Sequence, residues 1–408
     1  MRKSVWKLFF FLFLAPIIMN AQNKGFIYVR GKEIIGPDNK PFLMKGTNLG
    51  NWLVPEGYMF KFTNINSPRL INEVLLELLG PEESSAFWKT YQDTYITEAD
   101  IHYLKSIGMN SIRIPFNYRL FNNEEYLEQN NPNRGFELLD RVIGWCKKEG
   151  LYVILDMHCA PGGQTGDNID DGYGFPFLFK SEEMRLLTAK IWQRIADHYK
   201  NETAILGYDL LNEPIATYFS KIEFNPYLEP VYIQITKAIR SVDVNHILIL
   251  GGAQWDSNFE VFGSPFDSKL VYQFHKYWTK TTGREVIQEY IDFRDRYNVP
   301  IYCGETGENT DQWVGDFRKT LEENNIGWHY WPYKKMDNTK GIVTFNVPEG
   351  YDKIIAYTEL PRSDFESIRK AAPTDRQSVK RTLYEFINNS KFENCHPNAG
   401  YIEALGLK

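Results

Sequence analysis

Two glutamates stand at the ends of short apolar runs, where a buried strand is expected to stop. Glu213 follows "ILGYDLLN" and precedes a proline, and Glu305 closes "PIYCGE". Two carboxylates that face each other across a cleft are what cleavage of a glycosidic bond requires. One serves as a protonated acid and the other as an ionised nucleophile. The first hypothesis is therefore that Glu213 and Glu305 form such a pair.

Further polar or aromatic side chains lie at or near the ends of other apolar runs. A lone arginine or histidine at such a position has an ordinary explanation, an ion pair or a hydrogen bond in the packing. Their recurrence at strand after strand indicates one shared site. Within it, the positive charge of Arg113 would keep Glu305 ionised, while apolar surroundings would keep Glu213 protonated. The set comprises Asn48, Arg113, His158, Asn212, His275, Tyr277 and Trp331.

The runs that carry these residues alternate with longer amphipathic stretches, which is the pattern of repeated βα units. Eight strands separated by helices predict an α/β fold, the (β/α)8 TIM barrel, whose functional residues gather where the strands end. A doubly wound open sheet is the alternative, but no glycine-rich phosphate loop follows the first strand. The candidate strands are 42–49, 111–116, 152–158, 205–212, 246–252, 270–275, 300–305 and 326–331.

Two kinds of segment complete the predicted barrel. The stretch "FIYVRGKEIIGPDNKPFLMKG" predicts an N-terminal β-hairpin that turns at Pro37-Asp38-Asn39 and closes the bottom of the barrel. Long loops are predicted after strands 1, 3 and 8, over residues 50–96, 159–180 and 332–362. Loops at those positions lie on the face where barrels carry out chemistry.

The first 21 residues, "MRKSVWKLFFFLFLAPIIMNA", have a basic start, an apolar run and a small final residue. This predicts a signal peptide (1–21) and a secreted or periplasmic protein, with 22–408 as a single catalytic barrel without a membrane span. A retained N-terminal anchor helix is the alternative. The net charge of −6 becomes −9 once the leader's three positive charges are removed. No basic patch is present, so nucleic acid is not an expected partner, and we expect a monomer.

The cysteines and the metal-ligand motifs indicate neither a disulfide framework nor a metal site. Four cysteines in a chain of 408 residues form no disulfide framework, and their spacing selects no pair. The chain contains neither CxxC nor HExxH, and "DMH" lacks further strand-end histidines to complete a ligand set. No metal and no cofactor are therefore expected.

Six short stretches, "SIRIPF", "LDMH", "LLNEP", "FHKYW", "CGETG" and "HYWPY", occur in this order. As an ordered set they resemble glycoside hydrolase family 5, a retaining clan of barrels, over residues 25 to about 390. The resemblance implies that Glu213 is the acid/base and Glu305 the nucleophile. It also implies that Asn212 binds the sugar 2-hydroxyl and that Arg113 and Tyr277 orient Glu305. Residues implied to contact the sugar or the carboxylates are His158, His275 and Trp331.

Within that family, "GTNLGNWLVPEGYMF" (46–60) and residues 87–121 look like the exo-β-1,3-glucanase branch. This likeness implies that Glu56 binds a terminal glucose, and "HCAPGGQTGDN" (158–168) places Asp167 near the same sugar. The next stretch, "IDDGYGFPFLF" (169–179), departs from the branch and leaves chain-end specificity open.

The expected function is retaining hydrolysis of β-glucosidic bonds in β-glucans or related β-linked oligo- or polysaccharides. Three alternatives stay open: an endo-acting β-1,4-glucanase or mannanase, a hydrolase of a glucosylated lipid, and a non-catalytic carbohydrate-binding barrel. Four tryptophans near strand ends could stack on sugar rings or pack the barrel rim: Trp52, Trp255, Trp278 and Trp313.

Overall fold

The computed structural model describes residues 25–408. Eight parallel strands close into a barrel in which each strand pairs with its neighbours in chain order, and the last pairs with the first. The predicted (β/α)8 barrel is confirmed, and every barrel strand overlaps one of the eight candidate runs. After the hairpin strands β1 (Tyr28–Arg30) and β2 (Glu33–Ile35), the barrel strands are β3 (Lys45–Asn48), β4 (Ser111–Asn117), β5 (Tyr152–Cys159), β6 (Ile205–Asp209), β7 (Ile247–Gly251), β8 (Leu270–His275), β9 (Ile301–Gly307) and β10 (Gly327–Trp331).

Helices pack around the barrel and fill the segment after β3, where two of them occupy the predicted loop 50–96. The helices that precede the last barrel strand are α1 (Pro68–Leu79), α2 (Pro81–Thr94), α3 (Glu98–Ser106), α4 (Arg134–Glu149), α5 (Glu182–Tyr199), α6 (Lys221–Arg240), α7 (Ala253–Asp256), α8 (Gln288–Tyr297) and α9 (Asp311–Glu323). Those after it are α10 (Tyr351–Glu359), α11 (Phe365–Ala371), α12 (Arg376–Asn389) and α13 (Ala399–Ala404).

The fifth barrel strand, β7, is followed by an irregular connection. Its helix α7 is four residues long, and three of them, Gln254, Trp255 and Asp256, have positive φ. A single 3₁₀ turn, Phe259–Val261, completes the link to β8. The chain therefore turns sharply inward at the end of β7, where most barrel units would begin a long helix.

The N-terminal hairpin exists, and an earlier turn precedes the predicted one. Strand β1 pairs with β2 through a two-residue turn at Gly31 and Lys32, with Arg30 opposite Glu33. The Pro37-Asp38-Asn39 stretch forms the next turn, which brings Pro41 beside Ile35. Glycine at position 31 allows the positive φ of 58° that the tighter turn needs.

The hairpin closes the bottom of the barrel, as predicted. Ile27 and Ile34 pack with inward-facing strand residues such as Ile154 and Val271 in a cluster separate from the main core. The much larger main cluster fills the space between the barrel and its helices. Burial of these apolar side chains is the main source of stability and fixes the strand ends that carry the site.

The segment after β10 is tied to the rest of the molecule by a buried ion pair. It contains the small strands β11 (Lys334–Met336) and β12 (Val343–Phe345), which form a sheet with β13 (His396–Pro397). Lys334 lies 2.6 Å from Asp100 of α3, and both side chains are fully buried. The ammonium group also donates to the carbonyl oxygens of Tyr95 and Ser390, so its three hydrogens are all paired.

Three chain-level predictions concern the cysteines, membrane spans and the leader. All four cysteines are free thiols. Residues 25–408 contain no helix long and apolar enough to cross a membrane. The predicted signal peptide, 1–21, lies outside the described residues.

Candidate functional site

A cavity of about 670 Å³ opens where the barrel strands end. It brings together both glutamates from the sequence analysis and most of the side chains proposed around them. A larger cavity, of about 850 Å³, lies at the opposite end beside the hairpin. The upper cavity is lined by Glu56, Tyr58, His158, Ile169, Glu213, Thr217, Gln254, Trp255, Ser257, His275, Lys276, Tyr277, Trp278, Glu305, Glu308 and Trp331.

Glu305, on β9, is held by two donors. Its Oε1 accepts from Nη1 of Arg113 at 2.5 Å, and its Oε2 accepts from the hydroxyl of Tyr277 at 3.0 Å. The side chain is 6% exposed. Hydrogen bonds and a positive charge directed at a carboxylate favour its ionised form. The arrangement therefore sets the orientation of the Glu305 carboxyl group from two sides.

Arg113, on β4, is fully buried and lies at the centre of the site. Its Nε donates to Asp209 at 2.8 Å, and its Nη1 donates to Asn48 at 3.0 Å as well as to Glu305. Its Nη2 donates to Asn212 at 2.9 Å and lies 3.1 Å from Asp156. A guanidinium group with this many partners cannot rotate, so it acts as a rigid frame for the carboxylates around it.

The sequence analysis missed two carboxylates beside Arg113. Asp156 and Asp209 lie inside β5 and β6, and both are fully buried. Burial raises the pKa of each to about 7, although Arg113 opposes the shift. Asp156 stands two residues before His158, so the inward-facing alternation of β5 could have indicated it. Asp209 stands three residues before Asn212, a spacing that this alternation does not predict.

Glu213 lies just beyond β6 in a different environment from Glu305. Its backbone has a positive φ of 44°, and its N–H donates to Asp256 at 3.2 Å. Its Oε1 lies 2.8 Å from Nδ1 of His275. Burial raises the pKa of Glu213 to about 7, and the positive charges nearby do not cancel that effect. Near neutral pH this carboxyl group can therefore carry a proton, whereas Arg113 and Tyr277 stabilise a charge on Glu305.

The two glutamates lie close enough to act on one bond. A carboxylate oxygen of Glu213 and one of Glu305 lie within 4.8 Å of each other, with a ring nitrogen of His275 inside the same limit. Carboxyl groups about 5 Å apart leave room for direct attack on a sugar carbon, whereas inverting enzymes need a wider gap for a water molecule. The geometry can thus support a double displacement.

Two neutral histidines flank the carboxylates. Burial lowers the pKa of His158 to about 4 and that of His275 to about 3. Nδ1 of His158 lies 2.8 Å from Asp156, and its Nε2 lies 3.4 Å from the side-chain nitrogen of Asn212. Both rings therefore provide hydrogen bonds rather than positive charge.

Trp331 forms the floor of the cavity. Its ring stacks on His158 at a centroid distance of 5.8 Å, and its Nε1 donates to the hydroxyl of Tyr58 at 2.7 Å. A side chain at position 50 would overlap the tryptophan ring, because a Cβ added to Gly50 would lie 2.5 Å from it. The first loop is thus packed tightly against the platform.

Glu56, from the same loop, reaches the cavity and is 5% exposed. Its Oε1 is buried without a hydrogen-bond partner among the described residues. Burial and the nearby charges of Glu305 and Glu308 raise the pKa of Glu56 well above its ordinary value. A buried carboxyl group that lines a cavity and has an unpaired oxygen is suited to bind the hydroxyl group of a ligand.

Asp167 does not line the cavity. Its carboxylate accepts from the hydroxyl of Tyr218 and from the backbone N–H of Asn168, both at 2.6 Å. Of the four strand-end tryptophans, Trp255 and Trp278 line the cavity. Trp52 and Trp313 are buried and pack in the core.

Two overlapping groups of side chains have the composition of metal ligands: Asp156, His158 and Glu305, and Glu213, His275 and Glu305. Arg113 already neutralises the first group, since it contacts both Asp156 and Glu305. A cation there would have to displace or repel a fully buried guanidinium group. The expectation that no metal takes part stays a prediction.

The raised pKa values of Asp156, Asp209 and Glu213 predict how stability depends on pH. All three bind a proton more tightly in the folded protein than in the unfolded chain, where carboxyl groups titrate near about pH 4. Between about pH 4 and 7 the free energy of unfolding should therefore fall as pH rises, by up to about 1.4 kcal/mol per pH unit for each group. Calorimetric melting temperatures should decline from about pH 5 to about pH 8.

Glu213→Gln provides the matched comparison for this trend. The amide cannot titrate. The melting temperature of the variant should therefore decline less steeply with pH, because one of the three titrating carboxyl groups is absent. Melting temperatures that stay level or rise over the same pH range would show that these carboxyl groups are ionised throughout.

Several named glycosidases are similar to part of this chain. A family model described as cellulase, glycosyl hydrolase family 5, matches residues 75–337. The chain is 32% identical over 256 residues to a β-xylosidase from Phanerodontia chrysosporium, a match that covers 62% of this chain and 52% of the relative. The aligned part thus spans about half the length of that relative.

Two further relatives align over more of their own length. An endoglucanase C from Acetivibrio thermocellus is 28% identical over 315 residues, which covers 62% of this chain and 88% of the relative. A glucan 1,3-β-glucosidase from Candida oleophila is 25% identical over 304 residues, which covers 69% of this chain and 68% of the relative.

Proposed function

The chain belongs to glycosyl hydrolase family 5, and from that premise we propose that it hydrolyses β-glucosidic bonds with retention of configuration. The observation that carries the proposal is the contrast between two neighbouring carboxyl groups. Glu213 has its pKa raised to about 7 by burial. Glu305 is bound by a guanidinium group and a phenol. A retaining mechanism needs one carboxyl group of each kind about 5 Å apart.

In the first step Glu305 attacks the anomeric carbon and forms a covalent bond to the sugar. Glu213 donates its proton to the departing oxygen, so the aglycone leaves as a neutral alcohol. In the second step the ionised Glu213 takes a proton from water, and that water attacks the anomeric carbon and releases Glu305. Each proton lost by Glu213 is thus regained within one cycle.

Arg113, Tyr277 and Asn212 prepare the nucleophile and the sugar for this attack. Arg113 and Tyr277 hold one oxygen each of Glu305, which limits rotation of the carboxylate. Asn212 is fixed by Arg113 through its side-chain oxygen, which leaves its amide N–H groups to bind the sugar 2-hydroxyl. Positioning of this kind lowers the entropy lost on reaching the transition state.

For the substrate we propose a β-glucan attacked from its chain end, in the manner of the β-1,3-specific enzymes. Support comes from Glu56 and Tyr58, which meet Trp331 at one wall of the cavity. A closed wall of polar groups suits a terminal glucose, whose free hydroxyls an internal sugar lacks. The similarity to the glucan 1,3-β-glucosidase agrees with attack at a chain end. The similarity to the endoglucanase agrees with the alternative of endo cleavage.

Glu56→Ala tests chain-end action. The wild-type protein should release glucose as the first product from a laminarin-type oligosaccharide. The variant should lose about 10- to 100-fold in kcat/KM, because it lacks buried hydrogen bonds to the terminal sugar, each worth about 1–3 kcal/mol when left unpaired. Products are followed by chromatography during the first few per cent of conversion.

Asp295→Asn, an exposed carboxylate at the far end of the barrel, serves as the control and should behave as wild type. A ladder of mixed oligosaccharides as the early products, with Glu56→Ala near neutral, would reject the exo assignment in favour of endo cleavage. Absence of hydrolysis on every β-linked substrate would favour the non-catalytic carbohydrate-binding barrel. Release of sugar from a glucosylated lipid alone would favour the lipid alternative.

We further propose that residues 1–21 direct the chain to a secreted or periplasmic location and that 22–408 act as one catalytic unit, a monomer. The basic and apolar layout of the leader supports the first part. The continuous main core, which extends from Leu49 to Leu405, supports a single catalytic unit.

A further inference from the structure

Asp256 has a buried position that the proposed mechanism does not use. It follows β7, and its side chain is fully buried. Gln254, Trp255 and Asp256 have positive φ values of 54°, 63° and 56° in succession. Residues other than glycine lose about 1–2 kcal/mol each in that conformation, so the surrounding structure must hold them there. The strain directs the Asp256 carboxyl group inward, toward the cavity residues.

A glycine makes room for this carboxyl group. A Cβ added to Gly251, the last residue of β7, would lie 1.9 Å from Oδ1 of Asp256 and 2.5 Å from its Cγ. The carboxyl group therefore rests directly on the backbone at the end of the strand. Any larger residue at 251 would force Asp256 to move.

Asp256 contacts Glu213, the proposed acid/base, and His275. Its Oδ2 accepts from the backbone N–H of Glu213 at 3.2 Å and lies 3.2 Å from Nε2 of His275. The opposite ring nitrogen, Nδ1, lies 2.8 Å from Oε1 of Glu213 and 3.7 Å from Oε2 of Glu305. His275 thus stands between Asp256 on one side and two glutamates on the other.

The tautomer of His275 follows from these neighbours. Its ring is neutral, because burial lowers its pKa to about 3. A neutral imidazole carries one N–H, and at Nδ1 that N–H faces carboxyl oxygens of both Glu213 and Glu305. Nε2 then has a lone pair and needs a donor. Within the described residues Nε2 is buried and makes no hydrogen bond as the side chains stand, and the carboxylate oxygen beside it is Oδ2 of Asp256 at 3.2 Å.

Asp256 can supply that donor only if it carries a proton. Burial is the first cause that raises its pKa well above the ordinary value, and the charges of Asp209 and Glu213 raise it further. The backbone N–H of Glu213 and the cation Arg113 act in the opposite direction. The remaining charged or titratable neighbours of His275 are Glu305, Arg113 and His158.

We propose that Asp256 is a positioning residue for the acid/base, a neutral carboxyl group that donates to Nε2 of His275 and thereby keeps its N–H at Nδ1, directed at Oε1 of Glu213. The catalytic consequence rests on the proposed role of Glu213. With Oε1 occupied as an acceptor, the acidic proton of Glu213 resides on Oε2. When Glu213 is ionised in the second step, the same Nδ1–H stabilises its charge.

Nitrogen NMR of the protein labelled with ¹⁵N-histidine reads the tautomer directly. The signal of His275 is assigned by its loss in His275→Gln. The wild-type protein should show a protonated Nδ1 and an unprotonated Nε2, and Asp256→Ala should show proton occupancy at Nε2. A protonated Nε2 in the wild-type protein would overturn the proposal. This readout needs no substrate, so it stands apart from any failure of the proposed activity.

Kinetics separates positioning from simple support of the fold. Asp256→Ala should lower kcat about 10- to 100-fold on an unactivated oligosaccharide and much less on a dinitrophenyl glycoside, whose leaving group needs no proton. Asp256→Asn, which keeps a neutral N–H donor for Nε2 but loses the acceptor of the Glu213 N–H at the same position, should recover part of the loss. Its alkaline limb in kcat/KM should stay within about 0.5 pH unit of wild type, since no charge is removed.

Two kinetic outcomes would contradict the proposal. An alkaline limb that moves more than about one pH unit toward acid in Asp256→Asn would show that an anion had been removed. Equal losses on both substrates in Asp256→Ala would indicate a structural role. If Asp256→Ala does not fold, the tautomer of His275 in the wild-type protein and the kinetics of Asp256→Asn still test the proposal. Asp295→Asn provides the neutral control.

Discussion

Glu305→Gln is expected to abolish turnover, with a fall in kcat on the order of 10⁴-fold or more, as for other lost nucleophiles. An amide cannot form the covalent bond to the anomeric carbon that the proposed mechanism requires. The fold should survive, because the amide keeps the volume of the carboxylate, its oxygen can still accept from Arg113, and its NH2 group can donate to the hydroxyl oxygen of Tyr277. Initial rates on an aryl β-glucoside, together with a melting curve, measure both properties.

Glu305→Ala adds a stereochemical test. Sodium azide can enter the space left by the side chain and attack the anomeric carbon from the side that Glu305 occupied, which gives an α-glycosyl azide. Glu308→Gln is the matched control, since this glutamate lines the same cavity but pairs with Lys335. Its loss of activity should be far smaller. Retained activity in Glu305→Gln, or a β-azide from Glu305→Ala, would remove Glu305 from the nucleophilic role.

Glu213→Gln should show a loss that depends on the leaving group. General acid catalysis contributes about 10²- to 10⁴-fold, so hydrolysis of an unactivated oligosaccharide should slow by that factor. The first step on a dinitrophenyl glycoside should be much less affected. Because the pKa of Glu213 is about 7, the wild-type rate should fall above that pH as the proton is lost. The variant should lack this alkaline limb.

The second step of the same variant is equally informative. Without a base to activate water, the glycosyl-enzyme should accumulate on a dinitrophenyl glycoside and be detectable by intact mass. Azide, which needs no base, should release it as a β-glycosyl azide in Glu213→Ala. An equal loss on both substrate classes, with an unchanged alkaline limb, would assign the acid to another group.

Much of the barrel could be predicted from sequence, because β-branched runs and amphipathic stretches alternate at local range. The strand ends followed from the same runs, and they located Glu213 and Glu305 at one cavity. The turn at Pro37-Asp38-Asn39 was predicted because these residues carry a strong turn signal. The turn between β1 and β2 was not predicted, because it depends on Gly31, a weaker signal in sequence.

Asp256 could not have been found in this way. It lies in a connection where a helix was expected, and its inward direction depends on three consecutive left-handed residues, none of them glycine. Sequence patterns that predict left-handed backbone angles rely on glycine, asparagine or aspartate, so Gln254 and Trp255 did not indicate such a conformation. Asp167 is the opposite case, a residue that was predicted to lie near the sugar but does not line the cavity. Its position in the sequence did not indicate that its carboxylate would accept hydrogen bonds from Tyr218 and Asn168.

Both ends of the described chain lie on the face of the barrel opposite the cavity. Gly25 lies beside Thr203, just before β6 begins, and the last residue, Lys408, donates its backbone N–H to Ile107, just before β4. A linker or affinity tag joined at either position would therefore leave from the closed end. If the molecule were immobilised on a bead or an electrode through such a tag, the opening of its cavity would face the surrounding solution. A polymer too large to enter the space between the molecule and the support could then still reach the cavity.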